Sequence, residues 1–86
     1  MELNRWIETV GGTGQAGRLS LEAARVVAGV LGEKTRTVQS WYRHERLPCF
    51  TSAANILLTS KGAVDWNGIY APYAQKLLAG APHDPV

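Results

Sequence analysis

The chain has 86 residues, a net charge of +2 and a single cysteine, Cys49. That length holds one domain with a small core, so residues 1–86 are read as a single unit. One cysteine excludes a disulfide framework within the chain and points to a reducing, cytoplasmic setting, and the stretch from Met1 to Trp6 has no apolar run behind it, so neither a signal peptide nor a membrane span is expected.

The first predicted element is a helix, because Leu3, Trp6, Ile7 and Val10 recur at the three-and-four spacing of one helix face. Gly11 and Gly12 end it. The segment from Gly11 to Arg18 contains a literal G-x-G-x-x-G in Gly12, Gly14 and Gly17. A dinucleotide fingerprint needs a strand before it and a βαβ unit around it. Here a helix precedes and no parallel sheet follows, so the segment is read as a connector. Ser20 then fits as the N-cap of a second helix, with Glu22 complementing the dipole in its first turn. Its predicted inner stripe is Leu21, Ala24, Ala28 and Leu31, widened by Val27 and Val30. Gly29 costs about 1 kcal/mol relative to alanine inside a helix, an arrangement that suits a second helix crossing closely there. Gly32 closes the helix in the left-handed conformation.

A third helix is expected from Thr35 as N-cap to about residue 46, stopping before Pro48. Val38, Trp41 and part of Tyr42 face inward; Lys34, Thr35, Arg36, Gln39, Ser40 and Arg43 fall on the other side. A fourth helix runs from Phe50 or Thr51 to Ser60, capped by Thr51 or Ser52. Residues 63–68 read as a turn-rich link in which Val64 and Trp66 form a very short strand. The last helix spans Tyr70 to Ala79, with Pro72 in its first turn and Tyr73 and Leu77 as its buried face. Residues 81–86, with two prolines, are expected to fray. The outline is an all-α domain of four to five helices.

Charge adds a second pattern. Residues 1–31 and residues 51–86 are each neutral overall. Residues 32–50 carry Lys34, Arg36, Arg43 and Arg46 against Glu33 and Glu45, so the whole positive excess sits on the third helix and its extension, where phosphate contacts would need it.

The stretch from Ala24 to Tyr42 resembles the helix-turn-helix of lambda-type repressors and Cro-like phage regulators. Ala28 supplies the small residue where two helices touch, Gly32 the turn glycine four residues later, and Val27, Leu31, Val38 and Trp41 the buried positions around it. Glu33 departs from the pattern, because the residue after the turn glycine is usually apolar. The resemblance covers roughly residues 20–60 and implies a compact, lambda repressor-like domain that binds double-stranded DNA as a homodimer. It further implies that the second helix of the pair enters the major groove. Arg36 would then read guanine, Gln39 adenine, and Thr35 and Ser40 would reach bases as well. Lys34, Thr37, Arg43 and Arg46 would hold phosphates.

Other functions are less well supplied. His44 and His83 form no pair with Cys49 at metal-ligand spacing, and Asp65 and Asp84 make no visible carboxylate pair. An enzyme, a metal site and a cofactor are therefore not expected, and Cys49 is read as a small packed hydrophobe. The competing reading is a protein-interaction module, a phage-type inhibitor or adaptor that uses the same helices without DNA. The aromatic group Trp66, Tyr70 and Tyr73 would then anchor an interface, or else close the core.

Overall fold

Five helices and no strand make up the secondary structure of residues 1–12 and 17–80, the part of the chain that the computed structural model describes. They are α1 (Leu3–Gly11), α2 (Leu21–Leu31), α3 (Thr35–Tyr42), α4 (Phe50–Thr59) and α5 (Trp66–Gly80). The protein is thus an all-α, five-helix domain. The expected frayed tail and Gly14 of the glycine-rich segment lie outside the described residues. Among those residues, no helix is long and apolar enough to cross a membrane.

The core is one cluster to which every helix contributes: Leu3, Trp6 and Ile7 from α1, Val27, Ala28 and Leu31 from α2, Val38 and Trp41 from α3, Ala53 and Ile56 from α4, and Ile69 from α5. α1 buries the face its spacing predicts and stops at Gly12, whose φ of 69° is left-handed. α2 starts where Ser20 accepts a hydrogen bond from the Ala23 N–H at 3.1 Å. Its buried stripe is rotated from the expected one. Leu21 and Val30 are exposed, and Ala23 is buried instead. The cause is the close approach of α1: a Cβ added to Gly11 would lie 2.7 Å from the Cβ of Ala23. Two small residues let the backbones meet, and that contact decides which side of α2 turns inward. The close crossing expected at Gly29 is not there, since nothing lies within 4 Å of a Cβ placed on it.

α2 and α3 are joined through residues 32–34. Gly32, at φ 70°, donates to the Ala28 carbonyl, and the Glu33 N–H reaches the same oxygen at 2.9 Å. Both bonds satisfy α2 carbonyl capacity that the helix itself leaves open. The Leu31 carbonyl accepts from the Asn55 side chain on α4 at 2.8 Å.

α3 differs from expectation at both ends. Its N-cap is Lys34, with no side-chain cap, so Thr35 is the first helical residue. It ends at Tyr42, short of residue 46, because His44 takes a left-handed φ of 60°. That turn lets the His44 N–H reach the Trp41 carbonyl at 3.1 Å and the Glu45 N–H the Ser40 carbonyl at 2.9 Å.

α4 has Cys49 at its N-cap and no side-chain cap, so neither Thr51 nor Ser52 serves as expected. There is no strand at Val64 and Trp66. Asp65 instead accepts from the Gly68 N–H at 2.7 Å, and this local acceptor starts α5 at Trp66 rather than Tyr70. Pro72 consequently lies inside the helix and not in its first turn. Tyr73 is half-buried, but Leu77 is 70% exposed, so the expected Tyr73–Leu77 buried face is only half realised.

Candidate nucleic-acid interface

Successive residues of an α-helix turn by about 100°, so burying Val38 and Trp41 fixes what α3 shows to the outside. Arg36, Gln39, Ser40 and Arg43 lie opposite them. Arg36 and Arg43 are exposed, whereas Gln39 and Ser40 are half-buried. Thr35 and Thr37 are half-buried and flank this face. Exposed Lys34 precedes the helix, and exposed Arg46 lies beyond it in the turn that follows. Four candidates thus share one helix face, two border it and two sit at its ends. Behind them, Ala28, Leu31, Val38 and Trp41 are all buried, and Gly32 makes the left-handed turn.

Much of the remaining chain holds this helix in place. The Asn4 side chain donates to the Tyr42 carbonyl at 2.9 Å, tying α1 to the end of α3. The Tyr42 hydroxyl donates to Glu8 of α1 at 2.5 Å, and the Gly17 N–H donates to the same carboxylate oxygen at 2.9 Å. Tyr42 is therefore committed within the fold. The C-terminal aromatics do related work. The Tyr73 hydroxyl lies within hydrogen-bond distance of the Trp41 carbonyl, 3.1 Å, and the Arg46 carbonyl, 2.5 Å, and the Tyr70 hydroxyl donates to Pro48 at 3.0 Å. The His44 ring lies 4.9 Å from that of Tyr73. α5 thereby fastens the segment that follows α3. Trp66 stays 40% exposed and stacks between Phe50 and Tyr70, at ring distances of 5.4 and 6.4 Å.

Glu33, the residue out of pattern, has a local explanation. Its carboxylate accepts from the Ser52 hydroxyl at 2.7 Å. Ser52 lies in the first turn of α4, where the helix dipole favours negative charge. The turn is held to α4 by a charge-assisted bond in place of an apolar contact. Cys49 is exposed, contrary to its reading as a packed hydrophobe. Its thiol sits 3.4 Å from the Ser52 hydroxyl, which, with the nearby backbone N–H groups, holds the thiol below its usual pKa. Among the described residues, no group of three or more His, Cys, Asp or Glu side chains is placed to hold a metal ion.

A cleft of about 170 Å³ opens along one side of α3, lined by Gly17, Arg18, Leu19, Gln39, Tyr42 and Arg43. Arg18 was not among the sequence candidates. It belongs to the segment read as a connector, and no spacing rule relates it to Arg43. The only sequence signal is a basic residue directly after the glycines.

Burial, reinforced at Tyr42 by the bond to Glu8, pushes the Tyr42 and Tyr73 hydroxyls up from 10.0 to about 12. A raised folded-state pKa means stability that is fully present below the unfolded value, about 10, and is lost as pH rises towards 12. Tyr42→Phe should therefore shrink the alkaline loss of stability between pH 10 and 12, followed by denaturant unfolding at each pH. The same substitution should remove a tyrosinate absorbance component that appears near 12. If every tyrosinate forms near 10, the burial of these two hydroxyls, and with it the Tyr42–Glu8 bond, does not persist in solution.

Comparison with protein-family models, with curated proteins and with solved structures finds no match.

Proposed function

We propose that the protein is a sequence-specific regulator that binds double-stranded DNA, with α2 and α3 acting as a helix-turn-helix and α3 entering the major groove N-terminus first. The observation that carries this reading is the single outward face of α3, where Arg36, Gln39, Ser40 and Arg43 stand opposite buried Val38 and Trp41. The amide of Gln39 matches adenine and the guanidinium of Arg36 matches guanine. Thr35 and Ser40 reach adjacent base edges, while Lys34, Thr37, Arg43 and Arg46 take phosphates and set the register without reading sequence. The setting is cytoplasmic and the working form a homodimer, whose two α3 helices would lie about 34 Å apart, one turn of DNA. Repression is the regulatory action that suits such a Cro-like unit.

A second reading, a protein-interaction module of inhibitor or adaptor type, draws on the exposed Phe50, 75% accessible, stacked on Trp66. Binding to random duplex DNA across a salt series separates the two. The DNA reading expects log K to fall linearly with log salt, followed by recovery of a preferred site on selection. An absence of salt-dependent binding at low ionic strength would overturn it in favour of the module.

A further inference from the structure

We infer that the cleft between residues 17–19 and α3 receives a phosphodiester group of the DNA backbone, clamped between Arg18 and Arg43. In naming DNA as the source of the phosphate, the inference rests on the function proposed above. The cleft has about 170 Å³ of space, and the two arginines that line it, Arg18 and Arg43, belong to separate parts of the chain. Gln39 and Tyr42 of α3, with Gly17 and Leu19, complete the lining.

The polar groups of this wall divide into two sets. The Gly17 N–H and the Tyr42 hydroxyl are already spent on the Glu8 carboxylate. Glu8 is not one of the lining residues. Its role is constructive: it joins the left-handed Gly17, at φ 80°, to the end of α3 and so shapes one side of the cleft. That leaves Arg18 and Arg43 as the charged residues of the lining, with Gln39 reserved for the base contact proposed above. Arg43 also lies 4.0 Å from Glu45, but both side chains are more than half exposed and such a pair is weak, so it yields readily to a better partner. Among the described residues Arg18 makes no ion pair. Two forked, permanently charged side chains carried by separate segments that border one cleft suit a tetrahedral oxyanion, whose oxygens point to several sides. Because the cleft lies beside the proposed reading face, a phosphate held there would fix where Arg36 and Gln39 meet the bases. Arg18 becomes a positioning residue contributed from outside the helix pair.

The experiment compares Arg18→Ala and Arg18→Lys with the unaltered protein, using Lys61→Ala as a control away from the cleft. The slope of log K against log salt for random duplex DNA should fall by about 1 in Arg18→Ala and return in Arg18→Lys. Random and selected duplexes should weaken by the same factor, and Lys61→Ala should leave the slope unchanged. DNA binding with an unaltered slope in Arg18→Ala would overturn the cleft assignment alone. If the unaltered protein binds no DNA, the regulator reading fails. Amide NMR shifts on adding inorganic phosphate then judge the cleft by itself. Shifts centred on residues 17–19 and 39–43 that vanish in Arg18→Ala keep it as a phosphate site. Their absence overturns it.

Discussion

Trp41→Ala is expected to cost about 3–5 kcal/mol of unfolding free energy, a large share of what a domain of this size possesses. Trp41 is 2% exposed and sits in the common core with residues of all the other helices. The loss would not be confined to a cavity. α3 has 8 residues, too few to persist as a helix without tertiary support, and its buried side chains are Val38 and Trp41. Removing the larger of them should loosen the whole helix. Denaturant unfolding followed by circular dichroism would measure the effect. Trp66→Ala provides the comparison, because that ring is partly exposed and stacks at the surface, so its loss should be clearly smaller. Equal losses for the two tryptophans would contradict the placement of Trp41 at the centre.

Arg36→Ala is expected to reduce affinity for a selected duplex by about 1–3 kcal/mol, roughly 5- to 150-fold, and to relax preference at one base pair. Among the described residues Arg36 makes no ion pair or side-chain hydrogen bond, so truncation should leave thermal unfolding unchanged. A loss of binding can then be assigned to recognition and not to misfolding. Arg43→Ala should behave differently, weakening all sequences alike and flattening the salt dependence. A variant pair that both leave binding to a selected duplex unchanged would show that this face of α3 does not meet DNA.

Local rules made parts of the architecture readable in the sequence. The inner face of α1, the Ser20 cap and the left-handed turn at Gly32 follow from periodicity, an orphan N–H and the freedom of glycine. The inward placement of Val38 and Trp41 follows in the same way. What escaped depends on partners distant in sequence or on competition between similar residues. Ala23 replaces Leu21 inside because Gly11 brings α1 against it, and hydrophobic weight alone favours leucine. His44 ends α3 in a conformation usually left to glycine, so no glycine marks the stop. Asp65 captures the start of α5 before Pro72 can set it. Glu33 looked misplaced because its acceptor role needs Ser52, which only folding brings near. The candidate face was legible because one helix carries it. Arg18 was not, because its neighbours lie on another element.

The bonds that join the helices bear on how the protein can be studied. Many run from a neutral side chain to a backbone carbonyl: Asn4 to Tyr42, Asn55 to Leu31, Tyr70 to Pro48. Ion pairs among the described residues include Arg25 with Glu22 and Arg43 with Glu45, all exposed. Added salt screens exposed charges strongly and neutral hydrogen bonds hardly at all. Ionic strength should therefore separate two effects in this molecule: it should weaken the hold of the polyanionic partner proposed above over a wide range while the neutral bonds between the helices keep the scaffold folded.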